Sequence, residues 1–159
     1  MSPRTPARLV ALCGLPGSGK TTLAHELARS MPAVRFGADE WMVALGVDLF
    51  DQAFRSRLEA RFRELTASLL RLDTSVVLEF GVWSRAERDE LLALAHDVGV
   101  AVELRFLDAP LDELWRRVDA RNRSDAWPDR PITRAEMEAW SEVFEPPTPE
   151  ELAHYDSPG

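Results

Sequence analysis

One stretch of this chain carries residue types at a spacing suited to holding phosphate. Residues Gly14-Leu15-Pro16-Gly17-Ser18-Gly19-Lys20-Thr21 fit G-x-x-x-x-G-K-[ST], the phosphate-binding P-loop motif. Its glycines let the backbone turn tightly and aim several N–H groups at one point. A helix beginning just after the loop adds the positive end of its dipole to that nest. Lys20 is expected to reach the β- and γ-phosphates of a bound nucleotide, and the Thr21 hydroxyl to ligate Mg²⁺. Lys20 is the only lysine in the chain, every other strongly basic residue being arginine. A compact point charge therefore stands where a phosphate is to be met. The expected nucleotide-binding residues are Gly14, Pro16, Gly17, Ser18, Gly19, Lys20, Thr21 and Thr22.

Further chemistry-bearing residues lie where strands end. Asp39 follows the short apolar run Ala33-Val34-Arg35-Phe36 and is a candidate general base; it also suits the cap of the helical stretch that comes next. Glu79 nearly ends the run Ser75-Val76-Val77-Leu78-Glu79-Phe80. A buried parallel strand ending in an acid, downstream of a P-loop, is the Walker B arrangement, so Glu79 is the candidate partner of Thr21 for Mg²⁺, directly or through water. Glu79 stands where aspartate is usual. Trp41 and Trp83 are expected to flank an acceptor site as an apolar or stacking wall. Arg85, beside Trp83 at the head of a helix, is the candidate to hold a substrate, and Arg117 and Arg121 lie four apart on one helical face.

The elements that must position these residues are readable in order. Arg8 to Cys13 reads as a buried strand, and Thr21 to Ser30 as a helix with Leu23, Ala24, Leu27 and Ala28 on one face. From Asp51 to Leu72, Phe54, Leu58, Phe62, Leu65, Leu69 and Leu72 recur at steps of three and four, the mark of a long amphipathic helix. Its charged residues, Arg55 and Glu59 among them, read as a solvated face. Ser84-Arg85-Ala86-Glu87 and Thr133-Arg134-Ala135-Glu136 are capping boxes opening two further helices, the first running to Gly99 and the second to about Phe144. Val100 to Leu107 alternates as a fourth strand, and Pro110 sits in the first turn of the next helix. Residues 122–132 form a polar, proline-bearing loop, long for a connector, expected to act as a mobile lid. The segment 145–150 is expected to break the helix before it, with one more turn at most over 151–155.

Strands alternating with helices predict a three-layer α/β/α sandwich with a mostly parallel sheet of four or five strands, a P-loop NTPase fold of the nucleoside-kinase-like kind. No apolar run remains after the loop for a fifth strand. The expected organisation is a disordered leader over 1–7, one kinase domain over 8–155 and a tail over 156–159.

At 159 residues, 45% hydrophobic and 29% charged, the chain suits one globular domain. No run approaches a membrane span or a secretory signal, and the single cysteine, Cys13, excludes an internal disulfide, so a reducing cytoplasmic setting is expected. A net charge of −8 argues against wrapping a long nucleic acid and favours a small-molecule partner.

The P-loop, Phe36-Gly37-Ala38-Asp39 and Val77-Leu78-Glu79-Phe80-Gly81-Val82-Trp83-Ser84-Arg85 together resemble the small P-loop kinases related to zeta toxin and chloramphenicol phosphotransferase, grouped with the AAA-family ATPases. The similarity continues through Leu107-Asp108-Ala109-Pro110, Arg121-Asn122 and Phe144 to Pro149. The resemblance implies that Asp39 takes the proton of a substrate hydroxyl and that lid arginines, Arg117 and Arg121, clamp the transferring phosphoryl group. It implies ATP as donor with Mg²⁺, and the absence of an N-K-x-D signature agrees. The expected activity is transfer of the γ-phosphoryl of ATP to a hydroxyl of a small molecule, a metabolite or an antibiotic-like compound. The alternatives are a polynucleotide 5′-hydroxyl kinase, a nucleotide-sugar kinase, and an ATPase or nucleotide-dependent switch with no acceptor.

Overall fold

The computed structural model of the protein describes residues 3–125 and 127–158. Met1 and Ser2 of the expected leader, Ala126 of the expected lid and Gly159 of the tail lie outside the described residues. The elements run β1 (Arg8–Cys13), α1 (Lys20–Ser30), β2 (Ala33–Phe36), α2 (Ala38–Ala44), α3 (Gln52–Arg71) and β3 (Ser75–Gly81). They continue as α4 (Arg85–Val98), β4 (Ala101–Phe106), α5 (Leu111–Asn122), α6 (Arg134–Val143) and α7 (Pro149–Leu152).

The four strands pair in parallel in the order β2-β3-β1-β4. Strand β1 is apolar throughout its last five positions because both its faces are covered. Val10, Leu12 and Val77 face one way, onto Ala24, Leu23 and Leu27 of α1. Leu9, Ala11, Cys13, Val76 and Leu78 face the other way, onto Phe62 and Leu70 of α3 and Leu91 and Ala95 of α4. This is the expected three-layer sandwich, with a sheet of four strands. Among the described residues no helix is long and apolar enough to cross a membrane.

Helix ends follow the capping chemistry. Asp51 caps α3, its carboxylate accepting from the Phe54 N–H at 3.0 Å. Thr133 and Glu136 form the full reciprocal box at the start of α6. At α4 only half of the expected box is made: Ser84 Oγ accepts from the Glu87 N–H at 3.1 Å, while the Glu87 side chain lines a cleft. The last helix begins earlier than expected, at Pro149, where a missing N–H costs nothing, and Thr148 caps it.

The C-terminal segment is fastened to the sheet. The Val102 N–H donates to the Asp156 carboxylate and the Asp156 N–H to the Val102 carbonyl, each at 2.8 Å, at the outer edge of β4. Behind it, Arg88 and Glu151 form a fully buried pair, and Arg88 Nη1 also donates to the Val82 carbonyl at 2.9 Å. At the other end, Ala7 is buried, with its N–H on the Asp73 carboxylate.

Candidate active site

The carboxyl ends of β1, β2 and β3 open into one cleft of about 980 Å³. Ligands of open parallel sheets bind on this side. The P-loop forms its floor. Gly17 takes φ +83° and has the Leu114 carbonyl of α5 against it, where an added Cβ would lie 2.8 Å from that oxygen. Only glycine fits both demands. Helix α1 starts with Gly19 at its N-cap and has no side-chain cap, so its first N–H groups face the cleft without an internal acceptor.

Lys20 leaves the first turn of α1 and folds back over the loop, its Nζ donating to the Gly14 and Leu15 carbonyls at 2.9 Å each. Burial pulls its ammonium down to about 8, against the opposing pull of Asp39 and Glu79. The Trp83 indole N–H reaches the same Gly14 carbonyl at 3.2 Å. The turn that allows this uses Gly81 at φ +89°, where a Cβ would come within 2.8 Å of that indole nitrogen.

Thr21 and Glu79 meet, the hydroxyl donating to Glu79 Oε1. The second oxygen, Oε2, accepts from Arg35 Nη1 at 3.0 Å, and Arg35 Nη2 donates to Glu40. The Glu79 side chain is 9% exposed and Arg35 14%, so the strand-end acid is a paired, cleft-lining group rather than a solvated one. Among the described residues no group of three or more His, Cys, Asp or Glu could hold a metal alone. A hydroxyl and a carboxylate in contact beside a phosphate cradle do suit Mg²⁺, which keeps phosphate and water oxygens as most of its ligands.

Asp39 lies in the first turn of α2, whose N-cap is Gly37, so it does not cap that helix. Its Oδ1 is 2.7 Å from Arg55 Nη2 of α3, and the carboxylate is 57% exposed toward the cleft. The same Arg55 nitrogen donates to the Leu49 carbonyl at 2.8 Å. Arg117 and Arg121 come over the loop from α5. Arg117 Nη1 donates to the Gly17 carbonyl at 3.0 Å. Arg121 stacks on Trp127, 4.5 Å from the ring centre, with its buried Nε unpartnered among the described residues, and burial pulls its guanidinium down. The loop carrying Trp127 is tied at its base by Asn122, which accepts from the Ile132 N–H and donates to the Ile132 carbonyl.

Lys20, Thr21, Asp39, Glu79, Trp83, Arg117 and Arg121 therefore share the cleft. Trp41 and Arg85 depart from the expected placement. Trp41 turns its ring onto Phe62, 5.1 Å away, and Arg85 holds Asp89 at 2.8 Å on the outer surface of α4; neither lines the cleft. The face of α3 read as solvated is also different, since Gln52, Arg55, Ser56 and Glu59 line the cleft. The signal was present as a polar stripe at steps of three and four beside the apolar one.

The family model for the AAA domain matches residues 9–147. The chain belongs to the AAA domain family. A search among curated proteins found no match. Among solved structures, this AAA-domain chain is similar to the APS kinase CysC of Mycobacterium tuberculosis, seen with AMPPNP and APS, at 18% identity and TM-score 0.60, over 88% of this chain and 98% of that one. It is similar to a gluconokinase from Sinorhizobium meliloti 1021 at 19% identity and TM-score 0.61, over 93% and 80%. A chain of the Pnkp1/Rnl/Hen1 RNA repair complex matches at 19% identity and TM-score 0.72, over 96% of this chain but only 45% of that one. At these identities the likeness shows the shared P-loop fold.

Proposed function

We propose that this AAA-domain protein is an ATP-dependent phosphotransferase that moves the γ-phosphoryl group to a hydroxyl of a small molecule, within the group related to zeta toxin and chloramphenicol phosphotransferase. The observation that carries this reading is the placement of Asp39, held by Arg55, in the same cleft as Lys20 and Thr21. A nucleotide-dependent switch needs the phosphate cradle but has no use for a positioned carboxylate on the acceptor side. In the proposed step the bond between the γ-phosphorus and the ADP oxygen breaks, a bond from the acceptor oxygen forms, and the acceptor proton passes to Asp39. Such transfer needs positioning and charge stabilisation more than covalent help. Lys20 and the N–H groups of the loop hold the phosphates. Arg121, its Nε unpartnered among the described residues, and Arg117 neutralise charge on the transferring group. Thr21 and Glu79 would hold Mg²⁺, which supplies electrostatic stabilisation of the phosphate oxygens when bound.

The likeness to a chain of an RNA repair complex supports a second reading, a kinase of polynucleotide 5′-hydroxyls. The net charge of −8 weighs against it. Both readings are tested by ATP turnover against pooled hydroxylated metabolites, antibiotics and a 5′-hydroxyl oligonucleotide, with mass spectrometry of the products. A pool that raises ADP release and gains one phosphate supports the kinase. ATP binding with no phosphorylated product from any pool contradicts it.

A further inference from the structure

The acceptor side of the cleft has a charge pattern that narrows what can bind there. Two of the guanidinium groups that line the cleft, those of Arg55 and Arg35, are spent. Arg55 is committed to Asp39 and the Leu49 carbonyl, and Arg35 to Glu79 and Glu40. Glu59 stands one helical turn beyond Arg55 on α3, lines the same cleft, and makes no hydrogen bond or ion pair with any described residue. Arg55 and Arg63 on its own helix face favour its charge without bonding to it: Arg55 is engaged with Asp39, and Arg63 lies 3.9 Å from Glu90. The acids that bear on it are Glu87 from α4, freed from its capping box, and Asp39 from α2. Burial pushes the Glu59 carboxyl up to about 7, against the opposing pull of Arg55 and Arg63. Phe50, Phe80, Trp83 and Trp140 add aromatic surface to the lining of the same cavity.

Glu59 is half-buried on the cleft wall, and a cationic ligand group that forms a charge-assisted hydrogen bond with it gains affinity there. An acceptor carrying its own carboxylate or phosphate would meet Glu59 and Glu87, with Arg55 and Arg35 already paired. We propose that Glu59 is an acceptor-recognition residue and that the acceptor is an amine-bearing alcohol, its ammonium on Glu59 and its apolar face on the aromatic surface, with the reacting hydroxyl at Asp39. This rests on the phosphotransferase reading above and separates the chain from kinases of anionic alcohols.

The test runs full-length protein with ATP and Mg²⁺ against three matched pools: amine-bearing alcohols such as glucosamine and aminocyclitols, neutral alcohols such as glucose, and anionic alcohols such as gluconate. Turnover is expected with the amine pool. For the acceptor found there, Glu59→Gln should raise KM by about ten- to a hundredfold, the worth of a hydrogen bond to a charged group, with kcat and ATP affinity near wild type. Glu59→Lys should abolish use of that acceptor while ATP still binds. Turnover confined to the neutral or anionic pool, or an amine acceptor whose KM ignores Glu59→Gln, overturns the proposal and leaves the kinase reading standing. ATP binding with no product from any pool overturns both.

Discussion

Arg55 of α3 places its Nη2 2.7 Å from Oδ1 of Asp39 on α2, tying this cleft acid to the 20-residue helix α3. The pairing fixes where the carboxylate sits, with Oδ1 on Arg55. Arg55→Met should leave ATP affinity unchanged and lower kcat by about tenfold or more, because misplacement of a reacting group is expensive. Single-turnover transfer measured beside ATP titration checks this. An unchanged kcat would show that Arg55 only braces the helices.

Lys20 gives a pH signature for nucleotide binding. Burial holds its ammonium near 8, so above that pH much of it is neutral. A triphosphate favours the charged form and raises the value. ATP binding above about pH 8 should therefore take up a proton, and binding at pH 6.5 should not. Calorimetry in buffers of different ionisation enthalpy reads the difference directly, and Lys20→Met should remove it.

Glu59 gives one for stability. Its folded-state value, about 7, lies above the ordinary 4.5, so between those pH values the folded protein holds more proton than the unfolded chain. Stability from this group is present at low pH and lost as pH rises through 7. Glu59→Gln should then raise Tm more at pH 8 than at pH 5. An equal shift at both would mean that the carboxyl titrates normally.

Much of this site is legible in the chain because the decisive signals are local. The P-loop carries its own strand–turn–helix context, and Glu79 closes an unbroken apolar strand. What spacing does not reveal is which way a neighbour points. Trp41 follows Asp39 by two residues, but on a helix two residues turn the side chain about 200°, so Trp41 packs on Phe62 while Asp39 faces the cleft. Arg35 meets Glu79 only because β2 and β3 lie side by side, a pairing between residues far apart in sequence. Arg55 and Glu59 resemble any solvated helix face until α2 is laid against them.

The C-terminal anchor is a structural prediction. Arg88 and Glu151 are 1% and 3% exposed, and Arg88 also holds the Val82 carbonyl beside the P-loop. Removing one partner leaves a buried charge alone. Glu151→Ala should cost about 3–5 kcal/mol, read as the loss of urea-unfolding free energy. A loss under about 1 kcal/mol would place the pair among solvated ones.

The most direct test of the kinase account is transfer by Asp39→Asn, with ATP affinity measured in the same sample. The account predicts near wild-type nucleotide binding and a loss of about 10²–10⁴ in phosphoryl transfer, the range for a general base. Transfer at the wild-type rate in that variant would contradict it.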